Sequence, residues 1–254
     1  MSYRTVQVRF QGPVCFIQLH RPEAGNTING LFVKECHEVL DTCGPDTKII
    51  VWEGLPEVFC GGADFQEIHA EAVSGRSGDN NPELLYDLWL RMAEEPVINV
   101  AHVRGKANAG GIGFVAACDI VIADATAQFG LSELLFGLFP ACVLPFLIRR
   151  IGFQKAHYLT LMTHPITADQ AQAWGLVDAC ESESGPLLRK HLLRLQCISK
   201  QGILRYKRYV SDIDRSLHTA RAGAIAANKE VFADSQNREA IFRYIETGTF
   251  PWEE

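Results

Sequence analysis

Two glycine-rich segments, 60-CGGADF-65 and 105-GKANAGGIGF-114, are where the residue types of this chain could do chemistry. Each follows a stretch that reads as a strand, 48–52 before the first and 97–103 before the second. Glycine at a strand end permits a tight turn and a close approach of backbone to a ligand. A helix opening near Gly110 would aim free N–H groups, and the positive end of its dipole, at whatever lies before it. Two such N–H groups converging on one oxygen form an oxyanion hole, which stabilises charge developing on a carbonyl oxygen. Either segment taken alone also fits an ordinary structural turn. The second segment has no clean G-x-G-x-x-G, and no acidic residue stands where a ribose would need one, so NAD is rejected.

Other chemistry is less well supplied. The cysteines at 15, 36, 43, 60, 118, 142, 180 and 197 include no C-x-x-C pair and no histidine spacing suited to zinc. Most are expected to be reduced, buried small hydrophobes, and no metal is expected. Cys142 has no partner base adjacent in sequence and is not read as a nucleophile. A net charge of −6 argues against a nucleic-acid footprint. The one basic run, 204-LRYKRY-209, reads as a solvated helix face. No uninterrupted apolar run reaches the roughly 18 residues of a membrane span. The N-terminus has no apolar h-region of a signal peptide, so a cytoplasmic enzyme is expected.

The elements that must position these segments can be read from periodicity. Residues 5–22 alternate as two strands around Gly12-Pro13, a hairpin stopped by Pro22. Residues 29–43 put Leu31, Val33, Cys36, Val39 and Leu40 near one helical stripe. The runs 48–52, 97–103 and 119–123 are mostly apolar, as expected of buried strands. The stretch 72–83, rich in Gly, Ser and Asn, predicts a mobile loop before a helix bearing Leu84, Leu85, Leu88, Trp89 and Met92. After residue 123 only helices are predicted. One starts at a capping box over Thr167-Ala168-Asp169-Gln170, and an Ala-rich one spans about 215–233. Hydrophobic residues at 47% and charged residues at 21% fit an ordinary globular α/β protein with a helical C-terminal part.

Several motifs in fixed order make the chain recognisable: 21-RPEAGNTIN-29, 59-FCGGADF-65, 104-RGKANAGGIGFVAACDIVIAD-124, 129-FGLSELLFGLFP-140, 166-ITADQAQAWGLVD-178 and 242-FRYIETGTFPW-252. Through them the chain resembles the crotonase (enoyl-CoA hydratase/isomerase) superfamily nearly end to end. Within it, 101-AHVRGKANAGG-111 and 132-SELLFGLFPACVLPFLIRRIGFQKAHYLTL-161 are similar to the dehydratases of polyketide β-branching. The resemblance implies a crotonase-like spiral of ββα repeats over residues 1–195. It also implies a C-terminal helical trimerisation region over 196–254, with assembly as a homotrimer or dimer of trimers.

The resemblance also implies roles. The oxyanion N–H groups would come from Ala63 and Gly110. Family hydratases typically use two glutamates, and one of their positions is Gly113 here, so that carboxylate is missing. The other is Glu133, in 129-FGLSE-133 with Ser132 where the family has proline. The expected substrate is 3-hydroxy-3-methylglutaryl-acyl carrier protein, dehydrated to the 3-methylglutaconyl form. Its phosphopantetheine-linked acyl arm would be substrate, and no cofactor is expected. The acyl carrier protein would be the partner, alongside other β-branching enzymes.

A dicarboxyl-type substrate needs a cation for its distal carboxylate, and Lys106 is favoured over Arg104, Arg149 and Arg150. Asn108 is a candidate donor nearby. Tyr86 and Trp89 could line the acyl pocket or pack in the core, and Cys142 could reshape the hydroxyl pocket. The alternatives within this class are decarboxylation of a glutaconyl thioester and ordinary hydration of enoyl-CoA. A non-catalytic carrier-protein-binding scaffold is the alternative outside it. A retained Glu133 favours proton transfer at carbon over decarboxylation, which needs no base.

Overall fold

The computed structural model describes residues 3–74 and 81–253. Strands β1 (Val6–Gln11) and β2 (Val14–Leu19) pair antiparallel as the hairpin predicted. Helix α1 (Gly30–Thr42) begins where the Asn29 side chain accepts the Phe32 N–H. Then come β3 (Ile49–Glu53), β4 (Val58–Cys60), α2 (Phe65–Ser74) and α3 (Pro82–Glu94). The predicted loop over 72–83 is therefore corrected at both ends. Residues 72–74 finish α2, Pro82 opens α3, and 75–80 lie outside the described residues.

The next stretch alternates long and short strands: β5 (Ile98–Val103), β6 (Lys106–Asn108), α4 (Gly110–Ala117), β7 (Ile120–Asp124) and β8 (Gln128–Gly130). A short 3-10 helix, Glu133–Phe136, follows β8. Helices α5 (Leu144–Ile151) and α6 (Phe153–Met162) lead to β9 (Ile166–Thr167), α7 (Ala168–Trp174), β10 (Ala179–Glu181) and α8 (Ser184–Leu195). The chain ends in α9 (Lys200–Ile213), α10 (Ser216–Ala233) and α11 (Ser235–Thr247). The expectation of helices only after residue 123 is corrected by β8, β9 and β10. Each is two or three residues long, too short to show a period of two.

The long strands form one sheet in the order β1-β2-β3-β5-β7-β10, parallel from β2 onward. The short ones form a second, β4-β6-β8-β9, in which β4, β6 and β8 are parallel. Three repeats can be read off: β3-β4-α2, β5-β6-α4 and β7-β8 with its 3-10 helix. Each sends a long strand to the first sheet, a short one to the second, and a helix after it. This is the ββα spiral. Strands β3 and β5 are buried almost throughout because both faces are covered, and β5 carries buried Asn99 and His102 among its apolar residues.

Helix α4 is buried nearly all round, and the Trp52 and Trp89 rings pack against its Phe114. The 204–209 run is only partly a solvated face. Lys207 is 6% exposed, and its ammonium donates to Asp119 and to the carbonyls of Met92 and Ala93. Among the described residues no helix is long and apolar enough to cross a membrane.

Candidate active site

The ends of three neighbouring parallel strands, β4, β6 and β8, meet at one cavity of about 850 Å³. Ala63 follows β4, Gly110 follows β6 and Glu133 follows β8, and all three line it. Because the repeats are parallel and in register, each delivers the residues just past its short strand to the same side.

Backbone geometry sets the Ala63 N–H. Ile28 bridges this loop, donating its N–H to the Gly62 carbonyl (2.7 Å) and accepting from the Asp64 N–H (3.0 Å). In a parallel bridge that pattern turns the intervening Ala63 N–H away from Ile28. The Gly110 N–H heads α4 and has no intrahelical acceptor. The two loops touch: a Cβ built on Gly62 would lie 2.6 Å from the Ala109 Cβ and 3.6 Å from the Gly110 nitrogen. Gly62 has φ +96°, and Ala109 sits at φ +50°, ψ −121°. The Ala109 conformation costs roughly 1–3 kcal/mol for a residue with a side chain. The first loop is braced from behind by Asp64, which pairs with Arg21 at 2.8 Å and accepts from Thr27 at 3.0 Å.

Glu133 opens the 3-10 helix, and its Oε2 is buried without a hydrogen-bond partner among the described residues. Burial pushes its pKa up to about 7, and the N–H groups of Glu133 and Ser132 oppose that only in part. An acid so raised is poised to exchange a proton near neutrality. Ser132 is held by Asn108, which donates one amide hydrogen to its hydroxyl at 2.9 Å. Asn108 lines the cavity, so its nearest observed task is to steady the residue before Glu133.

Trp89 also lines the cavity and is 1% exposed. A Cβ built on Gly113 would lie 2.4 Å from its indole, so the ring fills the space into which a side chain at 113 would grow. Cys142 lines the cavity, and burial pushes its thiol up to about 12, which keeps it protonated.

Two expected site residues are not brought here. Lys106 is exposed at the start of β6, whereas the cavity lies past the ends of the strands, so it is not placed to meet a carboxylate inside. Tyr86 is fully buried, packs on Phe146 and donates its hydroxyl to the Leu217 carbonyl at 2.6 Å, which makes it a core residue. Of the other candidate cations, Arg149 is engaged with Asp214 and Arg150 with Asp178. Among the described residues, the cations that do line the cavity are Lys229 on α10 and Arg238 on α11. They lie more than a hundred residues beyond the glycine-rich segments, and no local pattern pointed to them.

A sequence model of the enoyl-CoA hydratase/isomerase family matches residues 9–254. The chain belongs to that family. Bacillaene synthase dehydratase PksH from Bacillus subtilis is 57% identical over 255 residues, covering 100% of this chain and 98% of that protein. The crystal structure of a polyketide biosynthesis enoyl-CoA hydratase (pksH) from Bacillus subtilis superposes with a TM-score of 0.96, at 57% identity over 98% of this chain and 100% of that one. A 2,3-dehydroadipyl-CoA hydratase from Escherichia coli is 33% identical across 66% of this chain and 65% of its own length. As a member of the enoyl-CoA hydratase/isomerase family the chain has one departure with a visible cause. Gly113, where family hydratases typically carry a second glutamate, is covered by the Trp89 indole.

Proposed function

We propose that this enzyme dehydrates a β-hydroxy-β-methyl acyl thioester, 3-hydroxy-3-methylglutaryl-acyl carrier protein, to the 3-methylglutaconyl form in polyketide β-branching. The observation that carries the reading is a buried Glu133 Oε2 without a partner among the described residues and with its pKa pushed up to about 7, in one cavity with the Ala63 and Gly110 backbone. The likeness to a bacillaene synthase dehydratase supports the pathway and the carrier protein.

The thioester oxygen accepts from the Ala63 and Gly110 N–H groups, which lowers the energy of the enolate. Ionised Glu133 removes the α-proton. The tertiary β-carbon tolerates partial positive charge, so its C–O bond breaks more easily than that of a secondary alcohol. The departing hydroxyl leaves with the proton held by Glu133, a syn elimination that releases water and returns the carboxylate. This sequence draws on no metal or redox cofactor. The distal carboxylate is met at the cavity by Arg238, since Lys229 is engaged with Glu83 at 2.7 Å.

Intact mass spectrometry of a 3-hydroxy-3-methylglutaryl carrier protein incubated with the enzyme tests the reading. Loss of one water is expected. Loss of water and carbon dioxide would make it a decarboxylase, and an unchanged mass would leave no dehydratase.

A further inference from the structure

We propose that the Trp89 Nε1–H donates a hydrogen bond to the β-hydroxyl oxygen of the bound acyl group, in the place where a second glutamate would otherwise stand. The inference rests on the dehydration reading above and adds the group that holds the leaving oxygen.

Two observations carry it. The Trp89 Nε1 is buried and has no acceptor among the described residues, although the residue lines the cavity. A buried indole N–H ordinarily finds a partner, and leaving it without one is costly. The indole also stands against Gly113, within 2.4 Å of where its Cβ would be, so it occupies the space into which a side chain at 113 would grow. The surroundings fix it there: Trp89 meets Phe114 and Phe146 edge-on, with ring centroids 5.8 Å away in each case.

Trp89 and Glu133 thus line the same cavity, and each carries a buried polar atom, Nε1 and Oε2, without a partner among the described residues. A hydroxyl group satisfies both kinds, because its oxygen accepts and its hydrogen donates. As the C–O bond stretches, negative charge gathers on that oxygen and the Nε1–H bond strengthens. No proton leaves the indole. The water formed takes its second hydrogen from Glu133, which received it from the α-carbon.

The test separates this role from a packing role. Trp89→Phe and a variant carrying benzothienylalanine at position 89, which keeps the ring shape and replaces the N–H by sulfur, are compared with the wild type. Dehydration of the 3-hydroxy-3-methylglutaryl carrier protein should fall about 10- to 100-fold in both, the worth of one hydrogen bond to a developing charge. Deuterium exchange at the α-carbon of a 3-methylglutaryl thioester, which has no β-hydroxyl, should stay close to the wild-type rate. Equal losses in both assays would make Trp89 a packing residue and overturn the proposal. Unchanged dehydration by the benzothienyl variant would overturn it as well. A wild-type enzyme that exchanges the α-hydrogen yet releases no water would overturn the dehydration reading itself.

Discussion

Glu133 keeps its proton up to about pH 7 because its surroundings offer the carboxylate too little solvation. To remove an α-proton it must be ionised, so kcat/KM for dehydration should rise with pH and level off above about 7, read from a pH–rate profile. Glu133→Gln should lower turnover at least about 100-fold and abolish that rise. Stability follows the opposite sense. Between the ordinary value of 4.5 and about 7, the folded chain holds a proton that the unfolded chain has released, so stability falls as pH rises through this window. Glu133→Gln escapes the loss. Denaturant titration should find it more stable than the wild type by up to about 3 kcal/mol at pH 8, with the gain shrinking toward pH 5.

The elements put these groups together through one repeated device, a short parallel strand that ends at the cavity. The β4 turn depends on Gly62, because any side chain there meets Ala109 and must accept φ +96°. Gly62→Ala should therefore shift the Ala63 N–H and cost about 100- to 1000-fold in kcat, the usual loss for one oxyanion donor, with a smaller change in KM. The contact between α3 and α4 makes a second prediction. Gly113→Glu restores a family carboxylate in sequence but drives it into the Trp89 ring. It should cost about 1–3 kcal/mol in a thermal or denaturant melt without producing a crotonyl-CoA hydratase.

At the scale of the whole molecule, the C-terminal helices complete a site begun by the strands. Lys207 ties α9 to the end of α3, the helix that carries Trp89, and α10 and α11 bring Lys229 and Arg238 to the cavity. If Arg238 meets the distal carboxylate, Arg238→Ala should raise KM about tenfold for the 3-hydroxy-3-methylglutaryl thioester. An analogue whose distal carboxylate is a neutral amide should be nearly unaffected in the same kinetic assay. Helices α6 and α9 also leave Phe153, Leu161, Met162, Tyr206, Tyr209 and Ile213 exposed. The family resemblance implies a homotrimer or dimer of trimers, so light scattering should report three or six times the 28.2 kDa chain mass.

What the sequence by itself determined was the local grammar. The hairpin at 5–22, the apolar runs that became β3, β5 and β7, and the capped start of α7 are dictated by neighbours a few residues away. The motifs around Ala63, Gly110 and Glu133 were legible through the family resemblance, the first two as backbone roles at glycine-rich strand ends. Strands β8, β9 and β10 were not, being too short to carry a period and stabilised by partners distant in the chain. Only the tertiary structure decided which side chains face the cavity. It moved Lys106 to the surface and Tyr86 into the core. It brought Arg238 in from the far end of the chain, and it set the Trp89 ring over Gly113. Charge and aromatic character are written in the sequence, but the direction a side chain takes depends on how helices pack across the strand ends.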